Sequence, residues 1–436
     1  MKNKGASFAL GVPTVSIAHD LQARCEKLYP WLVETRRHYH RNPELGWREF
    51  ETTRSIATSL QSEGYVVVDG SEMLGEVPRL GISRNAVSGE GNTGCIASFD
   101  SGRPGPTICL RVDIDALPIR EAGSNHFPAD KGFASANDGL MHACGHDGHI
   151  TIGLGVAKLI RPYLDRAHGK LRLVFQPAEE GGRGARALVD AGWMEGVDLL
   201  LAIHVGLGVP TDTVALGVTD FLATRKFSVK LAGRAAHAGK SPQDGRNALL
   251  AACQIALGLH GLAQSSARNV RVNVGVMHAG KSLNIVPDEA IFEFEIRAKT
   301  AAELGELERR CKKMIDATAD AWEVASNIEL RGEASDWENP DDIVAWAKTV
   351  NDVVQAFPKV VTDHDFGASE DATLLAKAVA AKGGKAGIIV LGADLADGHH
   401  TPHFDFDERV LGDGTLLISA LIVGEMLVDN GSIRPR

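Results

Sequence analysis

Residues 170–192 read KLRLVFQPAEEGGRGARALVDAG. Six largely apolar residues, Lys170 to Phe175, suit a buried strand, and Pro177 with the glycine pair Gly181 and Gly182 breaks it. The stretch RGARALVDAG then has helical texture up to Gly192. A strand that feeds a helix is half of a βαβ unit, and the pattern recurs. CIASF (95–99), TICLRVDI (107–114) and DLLLAIHV (198–205) read as further strands, and TIGLGVAKLI (151–160) reads as a helix between them. This alternation predicts an α/β fold built on a mainly parallel, helix-covered sheet. Ligands of such sheets bind beyond the carboxyl ends of the strands, so the residues just after each apolar run carry the functional reading.

Upstream, a helical pattern from about Leu28 breaks at Asn42-Pro43, resumes near Trp47 and stops at Gly64. The irregular stretch 66–92 is long for a connection inside a compact domain, which suggests that it shapes a pocket or an interface. Downstream of Phe221 the texture changes. FSVKLAG (227–233), RVNVGVMHAG (271–280), IFEFEIRAKT (291–300) and NIELRGE (327–333) suit half-buried strands, with Phe292, Phe294 and Ile296 facing away from Glu293, Glu295 and Arg297. Helical stretches at 247–263 and 301–323 are interleaved with them, giving the order β-α-β-β-α-β. After about Glu333 the chain returns to helix, the apolar run KAGIIVLG (385–392) and a last helical stretch. The expected division is therefore 1–220 and 335–436 as the two parts of one catalytic domain, with 221–334 inserted between them.

The chain has 436 residues, 44% of them hydrophobic, enough for a large core. Its 46 Lys and Arg against 56 Asp and Glu give a net charge of −10, which argues against a nucleic-acid partner. The six cysteines, at 25, 95, 109, 144, 253 and 311, form no CxxC pair and point to a reducing compartment. No apolar run is long enough for a membrane span. Lys2 and Lys4 before the run Ala6–Ala18 imitate a signal peptide, but Pro13, Thr14 and Ser16 interrupt it, and a cytoplasmic location is expected.

The string MHACGHDGH (141–149) packs three histidines, a cysteine and an aspartate into nine positions. Cys144 and His146 would diverge on a regular helix, so joint ligation needs a turn, which Gly145 between them permits. Thiolate and imidazole suit Zn²⁺, whereas added carboxylates suit Mn²⁺. Glu179 and Glu180 sit just past a strand, where two adjacent carboxylates call for a cation. One of the pair can ligate while the other acts as general base. His204 ends another strand, and His399, His400 and His403 cluster near the C-terminus. Asp113 and Asp115 share one side of their strand, where either could orient a ligating histidine. Two phosphate-binding readings fail. Gly182 and Gly184 match a relaxed dinucleotide fingerprint but follow two glutamates, and Gly233 and Gly239 have the wrong spacing for a phosphate loop.

In this order, RVDIDALP, MHACGHDGH, FQPAEEGGRGA, AIHVG, GRAAHAG, NIVPD, SEDATLL and HHTPHFDFDE resemble the M20 family of metallopeptidases and amidohydrolases, in its aminoacylase and hippurate-hydrolase branch. The likeness begins at RRHYHRNPELGWREFE and spans nearly the whole chain. It implies a zinc-peptidase-like catalytic domain, an inserted lid and dimerisation domain, and two divalent ions, Mn²⁺ first and Zn²⁺ second. By that resemblance Cys144 bridges the metals, His146, Glu180, His204 and His400 complete the ligand set, Glu179 is the general base and Asp115 supports the site. His237 reaches a neighbouring subunit's site, Asn284 lies near the substrate, and Arg297, helped by Arg246 or Lys240, meets a carboxylate. The implied activity is hydrolysis of an N-acyl amino acid, an aromatic acyl group joined to an acidic residue. p-Aminobenzoyl-glutamate is the first candidate and indole-3-acetyl-aspartate the second. The implied partner is a second copy or a related B subunit.

Overall fold

The computed structural model describes residues 10–82, 86–264 and 270–427. Lys2 and Lys4 of the N-terminal run lie outside the described residues. Eight strands form the larger sheet, in the order Val66–Asp69, Cys95–Asp100, Lys170–Gln176, Thr107–Asp113, Leu199–Val205, Lys385–Leu391, Thr213–Ala215 and Lys359–Val361. Its four central strands, from Lys170–Gln176 to Lys385–Leu391, are mutually parallel, so Asp113, Gln176 and Val205 end on one edge. Antiparallel pairs occur toward the two sides. The central strands are buried almost throughout, as expected for a sheet covered on both faces.

Over one face lies helix His146–Ile160, packed against Val15–Arg41 and Arg409–Met426. Two of these helices are largely apolar and buried on nearly all sides, which suits helices enclosed by protein. The first helix begins at Val15, well before Leu28, because Ile17, Ala18, Leu21 and Cys25 keep a helical spacing among polar residues and the Thr14 hydroxyl accepts from the Ile17 N–H. The next helix starts at Phe50, later than Trp47, whose φ of 70° places it in a left-handed turn. Part of the irregular region is ordered into strand Val66–Asp69 and the short helix Gly70–Leu74.

The smaller sheet is antiparallel, with strand order Ala325–Ala334, Ala223–Ala232, Glu289–Ala298 and Arg271–Ala279. Helices Ala248–His260 and Ala301–Ala321 cover one face. Phe227, Val229, Phe292, Phe294 and Ile296 point to those helices and form a separate core with Ile255, Leu307 and Ile315. A capping box joins Thr300 and Glu303 at the start of the longer helix, which fixes where the chain leaves the sheet. Among the described residues no helix is long and apolar enough to cross a membrane.

Candidate metal centre

The parallel edge of the large sheet delivers its groups from four strand ends. Gly145, with φ of 89°, precedes helix His146–Ile160, and this left-handed turn lets the Cys144 and His146 side chains converge. Cys144 Sγ lies 3.7 Å from His204 Nε2, and His146 Nδ1 lies 2.8 Å from the Asp115 carbonyl oxygen. Among the described residues, groups of three donor atoms that share the thiol include Cys144 with His146 and His204 and Cys144 with Glu180 and His400, and a further group joins His146, Glu179 and Glu180. Within each set the atoms lie within 4.8 Å of one another. His400 Nε2 stands 3.3 Å from Glu180 Oε1 and His146 Nε2 3.7 Å from Asp113 Oδ2, yet His146 Nε2 and Glu180 Oε1 are buried without a hydrogen-bond partner.

These orphaned donors fit divalent cations on chemical grounds. Burial and then Glu180 push the Cys144 thiol well up, and burial with neighbouring histidines pushes His204 well down. Without a cation the pocket favours a protonated thiol, which a bound metal would convert to the ligating thiolate. The set also matches the softness expected of Zn²⁺ or Mn²⁺ ligands, thiolate and imidazole together with carboxylate. Another cluster, His40, Glu121 and His126, lies apart. Its donor atoms are already committed, because Glu121 Oε1 is 2.8 Å from each imidazole and His40 Nδ1 is 2.9 Å from Asp147.

The turn that carries the glutamates is held from below. Asp115 accepts the Glu179 N–H at 2.9 Å and the Glu180 N–H at 3.0 Å, one on each oxygen. Glu49 accepts the Ala178 N–H at 2.8 Å and the Thr93 hydroxyl at 2.6 Å. Ala178 has φ of 52°, a left-handed conformation costly for a residue with a Cβ, so these contacts maintain a strained turn. Burial and the nearby Asp115 push the Glu49 carboxyl up to about 8. Beneath them Arg111, fully buried, reaches Asp113 at 3.0 Å, Glu370 at 3.0 Å, Asp371 at 2.9 Å and Gln176 at 2.9 Å. Asp371 in turn accepts the Gly184 and Ala185 N–H groups, so a carboxylate already occupies the place a pyrophosphate would need at that short helix.

The two aspartates of the strand divide their work. Asp113 accepts from His149 Nδ1 at 2.5 Å, while His149 Nε2 accepts the Val205 N–H, which fixes that ring beside His204. Asp115 supports the glutamate turn. A cavity of about 330 Å³ opens above, lined among others by Glu179, Glu180, His204, Arg297, Glu370 and His400. His399 packs 5.6 Å from His204, and burial lowers it to about 4, whereas His403 is exposed with its ring on His126. His237 and Asn284 are exposed, joined by the Ala238 N–H to the Asn284 carbonyl, and neither lines the cavity. Arg246 pairs with Glu323 and Lys240 lies on the exposed loop, both outside the cavity lining. Glu49, Arg111, Glu370 and Asp371 are the supporting residues that sequence reading gave no role. The signal available for Arg111 was its place inside an otherwise apolar strand, where a guanidinium needs a buried anion.

Known proteins resemble this chain in sequence and in fold. The model of peptidase family M20/M25/M40 matches residues 109–423. An indole-3-acetyl-aspartic acid hydrolase of Enterobacter agglomerans is 41% identical over 91% of this chain and 96% of its own. A p-aminobenzoyl-glutamate hydrolase subunit of Escherichia coli (strain K12) is 42% identical over 88% of this chain and 93% of its own. Among solved structures, a dinuclear metal-binding peptidase of the M20 family from Bacillus subtilis superposes with a TM-score of 0.66 at 25% identity, covering 91% of this chain and 98% of its own. Likeness over this length, in fold as in sequence, means that the chain belongs to peptidase family M20/M25/M40 and is a hydrolase of amide bonds.

Proposed function

We propose that the chain is a two-metal amidohydrolase that separates an aromatic acyl group from an acidic amino acid, p-aminobenzoyl-glutamate being the first substrate and indole-3-acetyl-aspartate the alternative. The observation that carries the chemistry is the pair of donor sets sharing Cys144, with the Glu179 carboxylate beside His146 and Glu180 in the same cavity. The names of the two relatives support the substrate class.

When bound by Cys144, His146 and His204 and by Cys144, Glu180 and His400, two divalent ions, Mn²⁺ first and Zn²⁺ as the alternative, supply Lewis acidity toward water and the scissile carbonyl. Glu179 takes the proton of the attacking water and returns it to the leaving amine nitrogen. Asp115 positions Glu179 through its backbone N–H. His237 of a neighbouring subunit donates to the carbonyl oxygen, Asn284 lies beside it near the substrate, and Arg297 meets a carboxylate of the substrate.

This reading divides the chain into a catalytic domain, 1–220 with 335–436, and a lid and dimerisation domain, 221–334. Leu257 is 80% exposed and Leu283 100% exposed, both on that second unit, which supports a partner there, either a second copy or a related B subunit. Leu257→Glu is expected to lower the mass of the assembly in solution, and an unchanged mass would remove this face from the interface. Six free thiols accord with a reducing, cytoplasmic setting.

The test is release of free amino acid from both substrates by the isolated Mn²⁺-loaded chain, with a chelator control and Cys144→Ala alongside. Chelator-sensitive cleavage is expected, and the variant should lose metal affinity by more than about 100-fold at both sets. Failure of the folded, loaded chain to cleave either substrate would overturn the substrate assignment. Retention of both ions by the variant would remove Cys144 as the bridge.

A further inference from the structure

One wall of the cavity above the metal donors comes from the smaller sheet, through Thr224, Lys226 and Arg297. In strand Ala223–Ala232, Phe227, Val229 and Leu231 point to the covering helices. Lys226 and Ser228 therefore occupy the opposite face, turned toward the large sheet. The register sets Lys226 across from Glu295 and Thr224 across from Arg297. Glu295 is committed to Arg297, since each of its oxygens accepts a guanidinium N–H at 3.1 Å. Among the described residues the Lys226 ammonium makes no ion pair and no hydrogen bond, although the side chain is half-buried.

Of the anions that line the cavity, Glu179 is the base of the proposed reaction. Glu370 and Asp371 pair with Arg111, and Glu180 belongs to a metal-donor set. Lys226 is thus the cation on this wall with no carboxylate of the chain assigned to it. It also lines a second cavity of about 350 Å³, which shares Gly181 with the first, so its flexible stem stands where a substrate side chain extending from the metal centre has room.

We propose that Lys226 reads the side-chain carboxylate of the amino acid that leaves, making the site selective for an N-acyl dicarboxylic amino acid, while Arg297, shared with Glu295, serves the α-carboxylate. This rests on the reading above for the reaction and the acyl group, and adds the group that selects the amino acid. A point charge on a four-carbon stem adjusts to a carboxylate one methylene nearer or farther. The consequence is discrimination between charged and neutral side chains, with glutamate and aspartate both accepted because the flexible stem takes up the difference of one methylene.

The test compares kcat/KM for p-aminobenzoyl-glutamate and p-aminobenzoyl-glutamine, which have nearly the same shape and differ in charge, in the wild-type chain, Lys226→Met, Lys226→Arg and Lys226→Glu. All four are first matched for fold by circular dichroism and for metal content. The wild-type preference for glutamate is expected to be about 10- to 100-fold, the worth of a charge-assisted hydrogen bond. Lys226→Met should bring the ratio close to one, chiefly by raising KM for the glutamate amide, Lys226→Arg should keep most of it, and Lys226→Glu should reverse it. A ratio in Lys226→Met within about two-fold of wild type would overturn the proposal, because another group would then be reading the charge. A wild-type chain indifferent to the charge would overturn it without the variants. A wild-type chain that cleaves neither amide but hydrolyses other N-acyl amino acids would show instead that the function reading is wrong, and this inference would fall with it.

Discussion

Glu179→Gln is expected to lower kcat by about 100- to 10,000-fold, the range for loss of a general base, while leaving metal content and the unfolding midpoint near those of the wild-type chain. The amide has the shape of the acid and lacks only the ability to take a proton. Glu179 lines the same cavity as the candidate donors and lies within reach of His146 and Glu180, although neither set built on Cys144 includes it. Burial, followed by the carboxylates of Glu370, Glu180 and Asp371, raises its pKa well above that of an ordinary carboxylate. Glu180→Gln provides the contrast, since loss of that side chain should show as lost metal. A Glu179→Gln chain within about ten-fold of wild-type kcat would mean that the base lies elsewhere, with Glu370 on the same cavity wall the first to examine.

The candidate donors were legible in two ways: PAEE, AIHV and HHTPH lie at or just past the ends of apolar runs, where a parallel sheet gathers ligands, and MHACGHDGH stands out by the density of its histidines at a helix start. The glutamates show the limit of that reasoning. Their adjacency announced a cation and a base, but the backbone that separates the two roles comes from the left-handed Ala178 and from Glu49, 129 residues earlier in the chain. No local pattern links Glu49 to that turn. Asp113 and Asp115 could each orient a ligand from the strand alone, and only the packed structure gives one to His149 and the other to the glutamate turn. The first helix starts earlier than its pattern suggests because Val15 to Lys27 is mostly polar, and its few buried residues count only once the last helix is there to receive them. Lys226 is hidden in the sequence for a similar reason. An isolated lysine at the start of a strand is by default a solvated charge, and only the register that gives Glu295 to Arg297 makes it exceptional.

Arg111→Met should have the largest effect on stability, costing about 3–5 kcal/mol, the range for removing one member of a buried ion pair. Proteins of ordinary stability have about 5–15 kcal/mol in hand, so the variant should unfold at a much lower denaturant concentration. Methionine fills much of the space, hence the loss measures charge more than volume. Arg111 is fully buried among Asp113, Glu370 and Asp371, and without it three carboxylates would face one another with no cation. Lysine should rescue poorly, because a single ammonium cannot reproduce the fork that also reaches Gln176. The effect should depend on pH. Burial already pushes Asp371 up to about 7, above its unfolded value, so the native state holds that proton more tightly than the unfolded chain does. Its contribution therefore favours folding at acid pH and fades as pH rises through about 7. Losing Arg111 raises that pKa further, so the deficit of the variant should be larger near pH 8 than near pH 5.5, both read from urea midpoints. A deficit below about 1 kcal/mol at both pH values would mean that water already reaches these carboxylates. Because Asp371 holds the N–H groups of Gly184 and Ala185, just past the glutamate turn, activity of the still-folded fraction should fall as well. That coupling would distinguish a strut beneath the catalytic turn from a charge cluster that serves the core alone.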